Sequence, residues 1–101
     1  MKNLHVSALL DIYGNFLSEK QKNLAEYYYN EDLSLSEIAE NEGITRQAVN
    51  DLIKRAEAQL LIFEEKCRYC EYFTRLKELA DNIGETDDKN IKAILDIIND
   101  I

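Results

Sequence analysis

The chain has 101 residues, 46% of them hydrophobic, and a formal net charge of −8 at pH 7. That length bounds it to a single domain with a modest core, and the acidic balance argues against a protein that coats nucleic acid by charge alone. No stretch approaches the roughly 18 apolar residues that a membrane-spanning helix needs. The N-terminus lacks the basic-then-apolar pattern of a secretory signal. The expected location is therefore the cytoplasm, where the two cysteines stand as thiols. There is no proline and there are only three glycines, so helices can run long without interruption.

Residues Leu4 to Phe16 read as a first helix, with Leu4, Ala8, Leu9, Ile12 and Tyr13 at helical spacing. Val6, Leu10 and Phe16 widen that apolar surface, and Gly14 and Asn15 end the helix. His5 is the only histidine. It has no metal-ligating or acid–base neighbour in sequence, so it reads as part of a solvated terminus rather than as a base or ligand. Ser18 caps a second helix, Glu19 to Asn30, with Gln21 at the capping-box position. Leu24, Tyr27 and Tyr28 face its core side. Three consecutive tyrosines, Tyr27 to Tyr29, cannot share one face, so at least one ring is expected at the surface, covering the core edge or offering a stacking platform.

The most informative stretch is Leu33 to Leu60, which reads as a helix-turn-helix. Ser34 and Ser36 are both candidate N-caps, and Glu37 sits three residues after Ser34. Leu35, Ile38 and Ala39 form one stripe of a short helix, and Ala39 is small enough for close helix approach. Gly43 can take the positive φ that ends that helix sharply. Thr45 then caps a second helix whose inner stripe is Ala48, Val49, Leu52, Ile53 and Ala56. Arg46, Gln47, Asn50, Lys54 and Arg55 are left mostly outward near its start, the end that meets base edges in DNA-binding proteins of this type. Lys20 and Lys22 are further candidates for phosphate contact, or simply solvated residues of the preceding helix.

Beyond the motif, Val49, Ile53, Ala56, Leu60, Phe63, Cys67 and Cys70 alternate by four and three. This heptad seam is expected either to pair two copies of the chain or to receive the C-terminal segment folded back. Cys67 and Cys70 form a CxxC. One pair without a nearby histidine cannot complete a four-ligand zinc site within one chain, so two thiols on a packed face are expected; only a dimer would bring four together. Residues Glu71 to Ile83 continue helical, either joined to the previous helix or broken from it near Tyr69. Gly84 is a stop, and Asp87 to Asn99 is a last helix with Ile91, Ile94, Leu95 and Ile98 as its stripe. Its acidic surroundings can screen a basic face or simply be solvated. The expected organisation is a helix-turn-helix domain over 1–66 and a C-terminal helical extension over 67–101, part of the same compact domain or a dimer contact.

From about Leu10 to Lys66 the chain resembles the YlxM-like bacterial helix-turn-helix proteins, which in turn look like the promoter-binding fourth region of the primary sigma factor. The residues that carry this are Leu10-Asp11-Ile12-Tyr13-Gly14, Leu17-Ser18-Glu19-Lys20-Gln21, Tyr28-Tyr29 and the run from Leu33 to Ala56. The resemblance implies an all-α fold, a three-helix DNA-binding arrangement of the winged-helix type without a wing, followed by additional C-terminal helices. It also implies a regulatory role linked to the signal recognition particle pathway. Arg46, Gln47, Lys54 and Arg55 keep the register of the sigma pattern. Asn50 stands where arginine is common, Asp51 where a neutral polar residue is usual, and Ile53 where an acid is usual.

Two functions follow from these residues. One is a small regulatory protein, acting as a homodimer, that inserts the second motif helix into a DNA major groove; RNA or signal recognition particle components are variant partners. The other is a non-enzymatic protein-interaction module that keeps the fold without reading DNA sequence. An enzyme is not expected, because the sequence has no phosphate loop and no nucleophile–histidine–acid set. No cofactor or metal is expected either.

Overall fold

The computed structural model describes Lys2–Ile101 and is all-α. Among the described residues there are six α-helices, one short 3₁₀ turn and no strand. They group into two compact units, Met1–Cys67 and Arg68–Ile101.

The first unit holds α1 (Leu4–Tyr13), the 3₁₀ turn Gly14–Phe16, α2 (Glu19–Tyr29), α3 (Leu35–Glu42) and α4 (Arg46–Cys67). Each helix start is fixed locally. Asn3 caps α1 through the His5 amide at 2.9 Å, and Ser18 caps α2 through the Gln21 amide at 3.2 Å. Of the two candidate serines, Ser34 caps α3, and it does so in a complete capping box. Its Oγ accepts from the Glu37 amide at 3.1 Å while its own amide donates to Glu37 Oε1 at 3.2 Å. Gly43 ends α3 at φ 67, and both its N–H and that of Ile44 donate to the Ala39 carbonyl. A Cβ at Gly43 would meet nothing within 4 Å, so the demand for glycine there is conformational, about 1–2 kcal/mol for an L-residue in the left-handed region. Thr45 Oγ1 then accepts from the Ala48 amide at 3.0 Å and opens α4.

Helix α4 is the hub, packing on α1, α2 and α3. Leu24, Ile38, Ala39, Val49 and Ile53 form the core of the motif, and Leu33, Leu35, Ile44 and Leu52 close around it. The buried face of α1 is Val6, Leu9, Leu10 and Tyr13. This corrects the expected stripe, for Leu4 is 73% exposed and Ala8 is exposed. Because α1 is apolar almost all round, two overlapping stripes fit its sequence. Packing selects the one that buries Tyr13, whose hydroxyl donates to Glu64 at 2.7 Å and whose ring meets Phe63 at 5.8 Å. The three tyrosines of α2 are all half-buried against the core edge, so none stands clear as a platform. Tyr28 and Tyr29 meet edge to face, and Lys2 Nζ lies 3.9 Å from the centre of the Tyr28 ring.

The heptad seam of α4 is used within the first unit. Val49, Ile53, Ala56 and Leu60 are buried, covered by the helices that precede α4. Neither expected use, a partner copy or a folded-back C-terminal segment, applies to these four positions. The seam ends where α4 ends. Arg68, at φ 55, breaks the chain between α4 and α5 (Tyr69–Ile83), which resolves the open choice in favour of two helices. Arg68 Nε and Nη2 donate to the Glu71 carboxylate at 2.8 and 2.9 Å, which holds Glu71 below the usual carboxylate range. Cys67 is exposed and Cys70 half-buried, so Cys67 is not on a packed face as expected. Among the described residues there is no disulfide and no cluster of three metal-ligating side chains.

The second unit pairs α5 with α6 (Lys89–Asn99). Asp88 caps α6, accepting from the amides of Asn90 and Ile91 at 2.9 and 3.0 Å, so the helix begins at Lys89, two residues after the expected Asp87. Only Ala80, Leu95 and Ile98 are buried in this unit, so most of the predicted apolar face of both helices is exposed.

Candidate nucleic-acid interface

The helix-turn-helix geometry decides which side chains α4 presents. Val49, Ile53 and Ala56 turn inward, so the opposite face carries Gln47, Asp51 and Lys54 at i, i+4 and i+7. All three are exposed. Arg46, also exposed, and Asn50, half-buried, flank that line on one side. Arg55, exposed, flanks it on the other, four residues after Asp51. The structure thus gathers Arg46, Gln47, Asn50, Lys54 and Arg55 on the first two and a half turns of one helix.

Asp51, which stands where the sigma pattern has a neutral polar residue, is part of this surface. Gln47 Nε2 donates to Asp51 Oδ1 at 3.0 Å, which fixes both side chains along the helix. The spacing i, i+4 for a Gln–Asp pair is the signal from which the bond was legible. The bond leaves Gln47 Oε1 and Asp51 Oδ2 as outward acceptors. Such an edge suits exocyclic amino groups of cytosine or adenine and disfavours the acceptor edge of guanine.

The two lysines of α2 go separate ways. Lys22 is half-buried and donates to Asn15 Oδ1 at 2.7 Å, with its stem against Gly14. Lys20 is exposed and shares a shallow cleft with Glu19, Asn23 and Glu42. Lying two residues apart on a helix, they do not face the same way. Lys2, which the sequence did not single out, is held by Asp32 at 3.3 Å and by the Leu33 carbonyl at 2.6 Å. Glu57, next to the basic pair of α4, lines a cleft with Tyr28 and Tyr29, and burial raises its carboxyl above the usual range. No helix among the described residues is long and apolar enough to cross a membrane.

A capped short helix, a left-handed glycine turn and a long second helix with a polar outer face define a small helix-turn-helix protein. The family profile described as "Putative helix-turn-helix protein, YlxM / p13 like" (UPF0122) matches residues 1–100, and the chain belongs to this family. Curated relatives agree. A UPF0122 protein of Clostridium kluyveri is 44% identical over 100 residues, covering 99% of this chain and 80% of its own length. One from Desulforamulus reducens is 50% identical over 89 residues, covering 86% of this chain and 76% of its own. One from Clostridium acetobutylicum is 38% identical over 109 residues, covering 99% and 94%.

Proposed function

We propose that this protein is a non-enzymatic regulator of the cytoplasm that binds duplex DNA by placing the start of α4 in the major groove. The observation that carries the reading is the placement of Arg46, Gln47, Asn50, Lys54 and Arg55 on the first turns of α4, along its outward line and on both flanks of it, directly after a well-formed turn. In this arrangement Arg46, Lys54 and Arg55 neutralise phosphate or reach guanine, while Gln47 and Asn50 read base edges. Lys20 adds a phosphate contact, and Lys22 can do so only by giving up Asn15.

The charge inventory limits the affinity. The first unit carries 7 Lys and Arg against 12 Asp and Glu, a net of −5. Three to five phosphate contacts give a slope of log K against log salt of about −3 to −4.5, shallow for a DNA-binding protein. The test is retention of mixed genomic DNA fragments at about 50 and about 200 mM salt. Retention lost at the higher salt, with a slope in that range and enrichment of particular fragments, is the expected result. Lys54→Ala and Arg55→Ala should each flatten the slope by about 0.9 without changing the circular dichroism. No retention at low salt sinks the reading. A structured RNA from the signal recognition particle, run as competitor, separates the DNA partner from the RNA one.

One observation favours the second reading, a protein-interaction module. Asp51 stands in the middle of the outward line of α4, where it repels phosphate. If DNA fails, Asp51 and its neighbours become the first surface to test against protein partners.

A further inference from the structure

We infer that the exposed apolar face of the α5–α6 hairpin is a dimer interface, occupied by the same face of a second copy of this chain. The inference goes beyond DNA binding and does not depend on it.

The argument begins with what the second unit lacks. It has 34 residues and a core of only Ala80, Leu95 and Ile98. Units below about 40 residues need a disulfide, a metal or association to fold stably. This unit has no disulfide and no metal-ligand cluster. Helices of 15 and 11 residues are marginal in water without a packed apolar face.

The face itself is built for association. On α5, Tyr72, Leu76, Leu79 and Ile83 alternate by four and three, a heptad seam, and all four are exposed. This seam is separate from Ala80, which is buried with Leu95 and Ile98 of α6. On α6, Ile94 and Ile97 lie beside the buried Leu95 and Ile98, at 56% and 70% exposure. A five-residue connection makes the hairpin antiparallel, and Lys77 Nζ donates to the Ile101 carbonyl at 3.1 Å, as that direction requires. In an antiparallel pair the α5 seam and the α6 flank come to the same side. The opposite side carries Asp81, Lys92 and Asp96.

Area favours a copy of the same chain. The six exposed side chains offer on the order of 600 Å², so a two-fold contact buries about 1,200 Å² in total, above the roughly 1,000 Å² expected of a specific interface. Helix α5 carries two bases and three acids, and α6 two bases and one acid, so the two helices together are neutral. Glu85, Asp87 and Asp88 sit in the connection, away from the seam. The whole unit carries 5 bases and 8 acids, a net of −3, so burial of the apolar face rather than charge brings two copies into a four-helix bundle by an isologous contact.

Sedimentation equilibrium of the full chain from about 1 to about 100 µM tests this. A dimer of twice the 11.8 kDa chain mass is expected. Leu79→Glu and Ile97→Glu should each weaken it at least about tenfold, with Asp96→Asn on the opposite side as a neutral control. Because hairpin folding is linked to association, any loss of helicity in these variants should be confined to the hairpin and recover with concentration, and Leu79→Ala and Ile97→Ala carry the same test with a milder change. A wild-type monomer at the highest concentration overturns the inference. So does a dimer indifferent to all of these substitutions. A monomer whose α5–α6 amides resist hydrogen exchange would assign the face to its own chain, and a monomer that floats with phosphatidylglycerol vesicles would assign it to lipid. Either result also overturns it.

Discussion

Glu57 shares a cleft with the rings of Tyr28 and Tyr29, and the partial loss of water there makes its charged form costly. Its carboxyl in the folded protein therefore titrates above the unfolded value. A raised carboxyl contributes stability only when protonated, and that contribution is lost as pH rises through the folded pKa. At neutral pH the charge is a burden, so Glu57→Gln should raise the urea midpoint at pH 7. The gain should shrink as pH falls and vanish near about pH 3, where Glu57 is itself neutral. A midpoint that drops at pH 7 would mean the carboxylate has a favourable partner. None of this could be read from the sequence, because the two tyrosines of the cleft lie 29 and 28 positions before Glu57. Ser34, Gly43 and Thr45 were legible for the opposite reason: each acts on amides or carbonyls within five residues. The Gln47–Asp51 bond is just as local, at the i, i+4 spacing of one helix face.

Helix α4 shows how a correct pattern can be assigned to the wrong partner. The four-and-three spacing of Val49, Ile53, Ala56 and Leu60 is a seam, but periodicity says only that something covers it. Helices α1, α2 and α3 do so, because they precede α4 with short connections and bring their own apolar stripes to it. The energetic consequence separates two adjacent leucines. Leu60 is fully buried, whereas Leu61 is 49% exposed. Leu60→Ala should cost about 2–5 kcal/mol, the range for a cavity in a packed core. Leu61→Ala should cost well under that, near the roughly 0.5 kcal/mol of a surface change. Denaturant titration of the pair measures both. Equal losses would mean that Leu61 is covered as well, and that α4 bears a contact on its outer side.

The whole molecule divides into two cores with unlike needs, and their response to concentration should differ. The first unit buries residues from all four of its helices. The second buries three side chains and leaves an apolar face open. If that face is closed by a second copy, folding of the hairpin is linked to association, and its stability rises with protein concentration by mass action. Heating the full chain at about 2 and about 200 µM should therefore move one transition and leave the other fixed. Two decades of concentration supply up to about 2.7 kcal/mol to a dimer that dissociates as it unfolds. For so small a unit that is a shift of many degrees, since about 1 kcal/mol moves the midpoint of a domain of 60–100 residues by about 4–8 °C. The tyrosines make the assignment direct. Tyr13, Tyr27, Tyr28 and Tyr29 report on the first unit, and Tyr69 and Tyr72 on the second. Tyr13→Phe should therefore leave the concentration-dependent transition in place, while Leu79→Glu should lower its midpoint at both concentrations. A single transition that ignores concentration would show that the hairpin draws its stability from within its own chain.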